Sequence, residues 1–169
     1  MAITLVSGKV GTVPKEWNIY IQDSLPAALT TFKGTPTAAN ASTAIAAMTE
    51  IGEIRTDSFD YSVENGATVE GNKSGEIVLD KIGQLVAESI NLTKANMDAL
   101  AGADGLTVWI LCQEKNFHET TKRSYILIEN ITLNYTEKIT GKDIPRGTVT
   151  VKKSVPSIAD FRTMIETTS

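Results

Sequence analysis

Alternation of apolar and polar side chains with a period of two is the feature that most constrains this chain. It recurs in three separate segments. In Arg123–Glu137, Tyr125, Leu127, Glu129, Ile131, Leu133 and Tyr135 alternate with Ile126, Ile128, Asn130, Thr132, Asn134 and Thr136. Gly147–Val155 sets Val149, Val151 and Val155 against Thr148, Thr150, Lys152 and Ser154. Ile54–Glu64 sets Arg55, Asp57, Phe59, Tyr61 and Val63 against Thr56, Ser58, Asp60, Ser62 and Glu64. Successive side chains of a strand point to opposite faces, so each segment predicts a strand, with one dry and one wet side in Ile54–Glu64, Gly147–Val155 and the second half of Arg123–Glu137.

Further strands follow from the same reasoning. Glu16–Gln22 places Trp17, Ile19 and Ile21 on one face, and Leu106–Gln113 is a β-branched and aromatic run suited to a central strand covered on both sides. Gly75–Leu79 and Gln84–Leu92 read as two more, with a break at Asp80–Gly83. Asn65-Gly66 favours the positive φ angles of a tight hairpin turn, which predicts a long hairpin over Phe59–Gly71. Thr93 is placed to cap a helix over Lys94–Ala101, with Gly102 at its left-handed C-terminal position. Residues 156–169 read as a C-terminal helix or tail, because Ile158, Phe161, Met164 and Ile165 recur at helical spacing behind Pro156 and Ser157. Residues 1–50, interrupted by Pro14, Pro26 and Pro36, read as an N-terminal arm and linker; Thr37–Met48 suits a short helix or a flexible connection.

The expected fold is therefore mainly β, a sandwich or barrel-like domain with one or two short helices and an extended arm or hairpin. The 169 residues fit one domain, with a β core over 51–155.

Composition narrows function chiefly by exclusion. One cysteine, Cys112, and one histidine, His118, do not supply a zinc cluster, and no nucleophile–base set or glycine-rich phosphate loop stands out, so no catalytic residue, metal or cofactor is expected. A net charge of −4 opposes dedicated nucleic-acid binding but suits a surface that lets a polyanion pass. The opening Met1–Gly8 lacks the basic flank and long apolar core of a secretory signal, and no apolar stretch is long enough for a membrane helix, so synthesis in the cytoplasm is expected.

Asp57, Asp60, Glu64, Glu70 and Glu76 follow one another through the hairpin region, either as a solvated strand face or as an acidic surface facing DNA in transit. Ser, Thr and Asn occupy whole faces at Thr56–Ser62, Ser89–Thr93, Asn130–Thr136 and Thr148–Ser154. Strands of that kind leave sheet edges to be managed, and a closed ring of copies removes them.

Ile51–Glu64, Gly66–Gly71 and Gln84–Leu100, with the run Asn96-Met97-Asp98-Ala99-Leu100-Ala101-Gly102, resemble the tail-tube (major tail) proteins of long-tailed bacteriophages and related contractile, phage-like injection particles. In that family a Gly-Glu opening precedes a strand, a long hairpin, and a further strand leading into a short helix. The resemblance implies a virion structural protein, made in a bacterial host, that builds stacked hexameric rings and lends strands to a continuous inner barrel around double-stranded DNA. Its partners would be other copies of itself and other tail proteins, with no membrane. It also implies an assembly hairpin carrying Phe59, Tyr61, Val63, Asn65, Gly66 and Val69, and lumen-facing acids at Asp60, Glu64 and Glu70. Other β-structured virion parts are alternatives: a tail terminator, a baseplate piece or a capsid decoration protein. So is a monomeric carbohydrate-binding module stacking sugars on Trp17, Trp109 and Tyr135.

Overall fold

The computed structural model describes residues 16–71, 75–90, 92–115, 122–139, 141 and 145–168. The chain runs β1 (Trp17–Gln22), α1 (Ala27–Gly34), α2 (Ala38–Ala46), β2 (Thr49–Glu50), β3 (Glu53–Ile54), β4 (Asp60–Asn65), β5 (Thr68–Gly71), β6 (Gly75–Val78) and β7 (Lys81–Ile90). It continues through α3 (Lys94–Ala103), β8 (Thr107–Glu114), β9 (Lys122–Lys138), β10 (Arg146–Val155), α4 (Ile158–Phe161) and β11 (Thr163–Thr168). The fold is mainly β. Nine strands form one curled sheet in the order β2-β1-β8-β9-β10-β7-β3, with β11 joined to β9 and β4 joined to β7; β5 and β6 form a separate two-stranded ribbon.

The curl originates in β9. Its first half pairs with β8 and β11, its second half with β10. Between them the register against β8 shifts at Val108/Ile110, and Asn130 adopts φ 54°, a left-handed conformation that Asn tolerates better than most residues. An extra residue of this kind bends a strand and steepens its twist. It also exchanges odd for even: Ile126 and Ile128 before the bulge share a core with Ile131, Leu133 and Tyr135 after it. Strict alternation through Glu129 would instead have put Tyr125 and Leu127 on that face, whereas they pack in a second cluster.

Folding the strip over at β9 makes two layers. One contributes Ile19, Ile21, Val108, Ile110 and Cys112, the other Leu85, Ala87, Val149 and Val151, and together they form the main core. Burying each Val, Leu or Ile side chain among them contributes about 1.5–3 kcal/mol. On the outer side of the first layer, Tyr20, Leu111, Tyr125, Leu127 and Ile165 meet Leu29 and Phe32 of α1 and Ala41 and Ala44 of α2. Phe32 meets Tyr125 edge-on at 5.1 Å, and Lys33 pairs with Glu129.

Several expectations are corrected here. Residues 16–50 are not an extended arm: β1 sits between β2 and β8, and two helices cover a core. Of the two readings of Thr37–Met48, short helix or flexible connection, the helix is the one present: it is α2, capped by Thr37 Oγ1 accepting from the Asn40 amide at 3.2 Å. Residues 1–15 lie outside the described residues. The C-terminal helix is a single turn, α4, after which Thr163–Thr168 pairs with β9 as a strand. Its β-branched Thr163, Ile165, Thr167 and Thr168 favour that state, and the helical spacing was a chance match.

α3 begins as expected, with Thr93 Oγ1 accepting from the Asn96 amide, but Gly102 lies within it and the left-handed residue is Gly105, φ 76°. The break foreseen at Asp80–Gly83 lies at Leu79–Asp80, and β7 already runs from Lys81. Gly83 lies within β7, where the Phe161 ring fills the space a β-carbon would take.

Candidate assembly surface

The hairpin turn is not at Asn65-Gly66. β4 pairs with β7 from Asp60↔Val86 to Asn65↔Lys81; the Gly66 amide then donates to Asp80 O at 3.0 Å and the Leu79 amide to Ala67 O at 2.8 Å; β5 and β6 continue from Thr68↔Val78 to Gly71↔Gly75 in the same register. The two arms therefore pair in one register from Asp60↔Val86 to Gly71↔Gly75; residues 72–74 lie outside the described residues. Gly66 is needed for space instead of a turn: a β-carbon there would collide with the Asp80 carboxylate.

Asp80 fastens the point at which the ribbon leaves the sheet. Its Oδ1 accepts from the Ala67 amide at 2.5 Å and its Oδ2 from the Ser154 hydroxyl of β10. These two bonds, the hydroxyl first, hold its pKa below the ordinary carboxylate value. Beyond this clamp the ribbon has no third strand among the described residues, and Val69 and Leu79 on one of its faces are 48% and 58% exposed.

β3 and β4 together form one interrupted edge strand. Between them the Arg55 amide donates to Glu88 O, and Ser58 Oγ both accepts from the Glu88 amide at 3.0 Å and donates to Glu88 O at 3.2 Å, so a side chain stands in for the missing backbone pair. Ile54–Glu64 is thus not one continuous strand, and Arg55 and Asp57 are exposed and ion-paired with each other, apart from the buried side.

The sheet formed by β4, β7, β10 and the second half of β9 has an outer face with no described element packed across it. Register sets the rows: Asp60–Val86–Thr150–Asn134, Ser62–Gln84–Lys152 and Glu64–Ile82–Ser154, then Glu88–Thr148–Thr136 and Ile90–Arg146–Lys138. Seven of these sixteen residues carry a hydroxyl or amide, six are charged, and Ile82, Val86 and Ile90 are apolar. Asp60 and Glu64 are exposed on this face as expected, while Phe59, Tyr61 and Val63 turn inward and pack on the main core. Phe59 stacks on Trp17 at 5.1 Å and Tyr61 on Phe161 at 6.0 Å; Arg162 Nε donates to Tyr61 Oη at 3.0 Å. Asn65 accepts from Lys81. Of the expected assembly hairpin, Val69 alone is an exposed apolar residue. The side chain of Glu70 lies outside the described residues.

The face is not uniformly acidic. Asp60, Glu64 and Glu88 are matched by Arg146, Lys152 and Lys138, and Glu88 pairs with Arg146 at 3.1 Å and Arg55 at 3.6 Å. Nor is every foreseen polar residue on it: Ser89 is buried on the opposite side, donating to Ile51 O at 2.6 Å.

The remaining candidates do not converge. His118 lies outside the described residues. Cys112 is buried in β8, and burial pushes its thiol pKa up. Tyr135 is buried and its pKa is pushed up to about 12 by burial, then by Glu137. Trp17, Trp109 and Tyr135 do not form a platform: Trp17 and Tyr135 belong to the main core and Trp109 to the helix-covered one. A cleft of about 190 Å³ opens between α3 and the β1–β2 end, lined by Ile21, Ile51, Leu100 and Val108 with Asp23, Glu50 and Asn96. Among the described residues no group of three His, Cys, Asp or Glu could hold a metal ion, and no helix is long and apolar enough to cross a membrane.

Neither protein-family models nor curated proteins match this sequence.

Proposed function

We propose that the chain is a structural subunit of the tail tube of a tailed bacterial virus or a related injection particle, acting by assembly with copies of itself. The observation that carries this reading is the uncovered, largely polar four-stranded face, flanked by an edge strand and continued by a ribbon that leaves the body. An isolated two-stranded ribbon is at best marginally stable in water, so contact with another subunit would give it the missing support. An antiparallel sheet with one dry face and one wet face suits the wall of an aqueous channel.

In this reading the face lines the lumen and conduction is passive. The rows of Thr148, Thr150, Asn134 and Thr136 offer small, water-bound groups, and the balance of Asp60, Glu64 and Glu88 against Arg146, Lys152 and Lys138 provides little net attraction for phosphate. The mechanism therefore rests on neutrality and hydration more than on repulsion by an acidic wall. No cofactor takes part.

Purified protein at high concentration, viewed by negative-stain electron microscopy, is expected to form stacked rings or hollow tubes of uniform width. A monodisperse monomer across salt and concentration would overturn the reading in favour of a decoration protein or binding module. For the lumen assignment, Thr150→Lys with Asn134→Lys is expected to leave tubes intact and slow DNA ejection; normal ejection would place this face elsewhere.

A further inference from the structure

We propose that Asn65-Gly66 is a self-modification site kept latent by strand pairing: while the base of the ribbon is closed the two residues are inert, and when it opens the Asn65 side chain cyclises on the Gly66 nitrogen and leaves isoaspartate at position 65.

The dipeptide itself carries the chemistry. Asn is among the chemically labile side chains, and a following Gly has no β-carbon to keep its backbone nitrogen away from the Asn amide carbon. In the first step the Gly66 nitrogen gives up its proton, bonds to Asn65 Cγ and expels the side-chain nitrogen, which takes up a proton and leaves as ammonia; a cyclic imide remains. Water then adds to one of the two imide carbonyls, and the C–N bond at that carbon breaks. Opening at Cγ gives aspartate on the original main chain. Opening at the Asn65 main-chain carbonyl routes the chain through the side chain, which is isoaspartate. No oxidant, metal, partner or tube takes part, and Asn65 is exposed to the water that the second step consumes.

The fold opposes the first step in several ways. Asn65 belongs to β4 and pairs with Lys81. Ring closure needs the Gly66 nitrogen rotated into line with Asn65 Cβ, whereas the extended backbone of an antiparallel strand, ψ about +135°, turns it well away. The Gly66 amide already donates across the pair, to Asp80 O at 3.0 Å. Asn65 Oδ1 accepts from Lys81 Nζ, which holds the side-chain amide toward the neighbouring strand. The Asp80 carboxylate packs directly against Gly66, so negative charge developing on the Gly66 nitrogen meets a like charge.

Separating the arms at Asp80 removes all of these restraints together, and local opening of that kind is what the reaction requires. Its product does not allow the base to close again. Isoaspartate adds a carbon to the main chain just before Gly66, so the Gly66 and Ala67 amides no longer fall opposite Asp80 O and Oδ1 in the register that the ribbon needs.

The test follows the Asn65 peptide by mass spectrometry in mildly alkaline buffer, for the folded chain and for the chain in guanidinium chloride. Fragmentation places the change at position 65 and separates aspartate from isoaspartate. The folded chain is expected to react at least ~10-fold more slowly, one decade in the opening equilibrium. Equal rates overturn the proposal. Asp80→Ala removes the side-chain bonds and the carboxylate beside Gly66 and leaves the sequence around Asn65 unchanged. Its folded form should react at least ~10-fold faster than folded wild type, and the two chains should react alike in guanidinium chloride.

Circular dichroism shows whether this variant is folded; if it is not, Lys81→Met, which frees Asn65 Oδ1 alone, takes its place with acceleration expected in the same direction. A folded variant that reacts as slowly as wild type overturns the gating by the closed base. The isoaspartate form, separated and returned to native buffer, should exchange its Ala67–Gly71 amide hydrogens faster than wild type. Equal protection overturns the claim that the modification releases the ribbon.

Discussion

Asp80 marks the residue at which two strands cease to belong to the sheet, and its two bonds, from the Ala67 amide and the Ser154 hydroxyl, favour the carboxylate form. Its pKa in the folded chain lies below the ordinary value of 3.8. For a depressed acid the stabilisation is fully present above the unfolded-state pKa and is lost as pH falls through the folded one. Asp80→Asn keeps an acceptor oxygen but no charge. Wild type should therefore have the higher thermal midpoint above about pH 4, and the difference should shrink toward zero below it; a difference that persists unchanged into strong acid would assign the effect to shape instead of charge. Gly83 makes a steric counterpart. Gly83→Ala forces a β-carbon into the Phe161 ring and should cost about 1–3 kcal/mol in urea unfolding. Combining it with Phe161→Ala should cost less than the sum of the two single changes, since the collision is then removed.

At the scale of elements, β9 holds the architecture together by changing partners halfway, and Asn130 is where it does so. Asn130→Val should destabilise by about 1–2 kcal/mol, the cost of a branched residue at left-handed φ, while Asn130→Gly should be close to neutral by the same unfolding measurement. This element also separates what sequence reasoning reached from what it missed. β1, β8, β10 and the capped start of α3 were legible, because their periodicity and capping are local properties. The bulge was not: alternation extrapolates through Glu129 and Asn130 without a visible fault, and the only trace was that Tyr125–Ile128 is apolar at both parities. Asn65-Gly66 misled for a related reason, since Gly was required by Asp80, fourteen residues away along the chain. Asp60 and Glu64 could be assigned to a polar face from alternation alone. Which cations share that face could not, because cross-strand rows depend on register between segments far apart in sequence.

For the whole molecule, the ribbon is the part whose stability the body does least to explain. Its base is clamped by Asp80, yet beyond it Val69 and Leu79 expose apolar surface on one face, and no third strand or helix covers that face among the described residues. Exposed apolar residues are ordinary when scattered singly. Two together on a ribbon projecting from a sheet, in a chain proposed to stack, point to contact with the next copy. Val69→Ser with Leu79→Ser removes that surface and leaves both cores intact, so the thermal midpoint of the monomer should stay within the shift of about 0.5 kcal/mol usual for surface changes. Tube length in negative stain should fall sharply. Single rings should survive, because both substitutions lie on the ribbon and leave the four-stranded face unchanged. Long tubes from the doubly substituted chain would show that the ribbon's apolar face is not a stacking contact, and loss of rings as well as tubes would move it into the lateral interface.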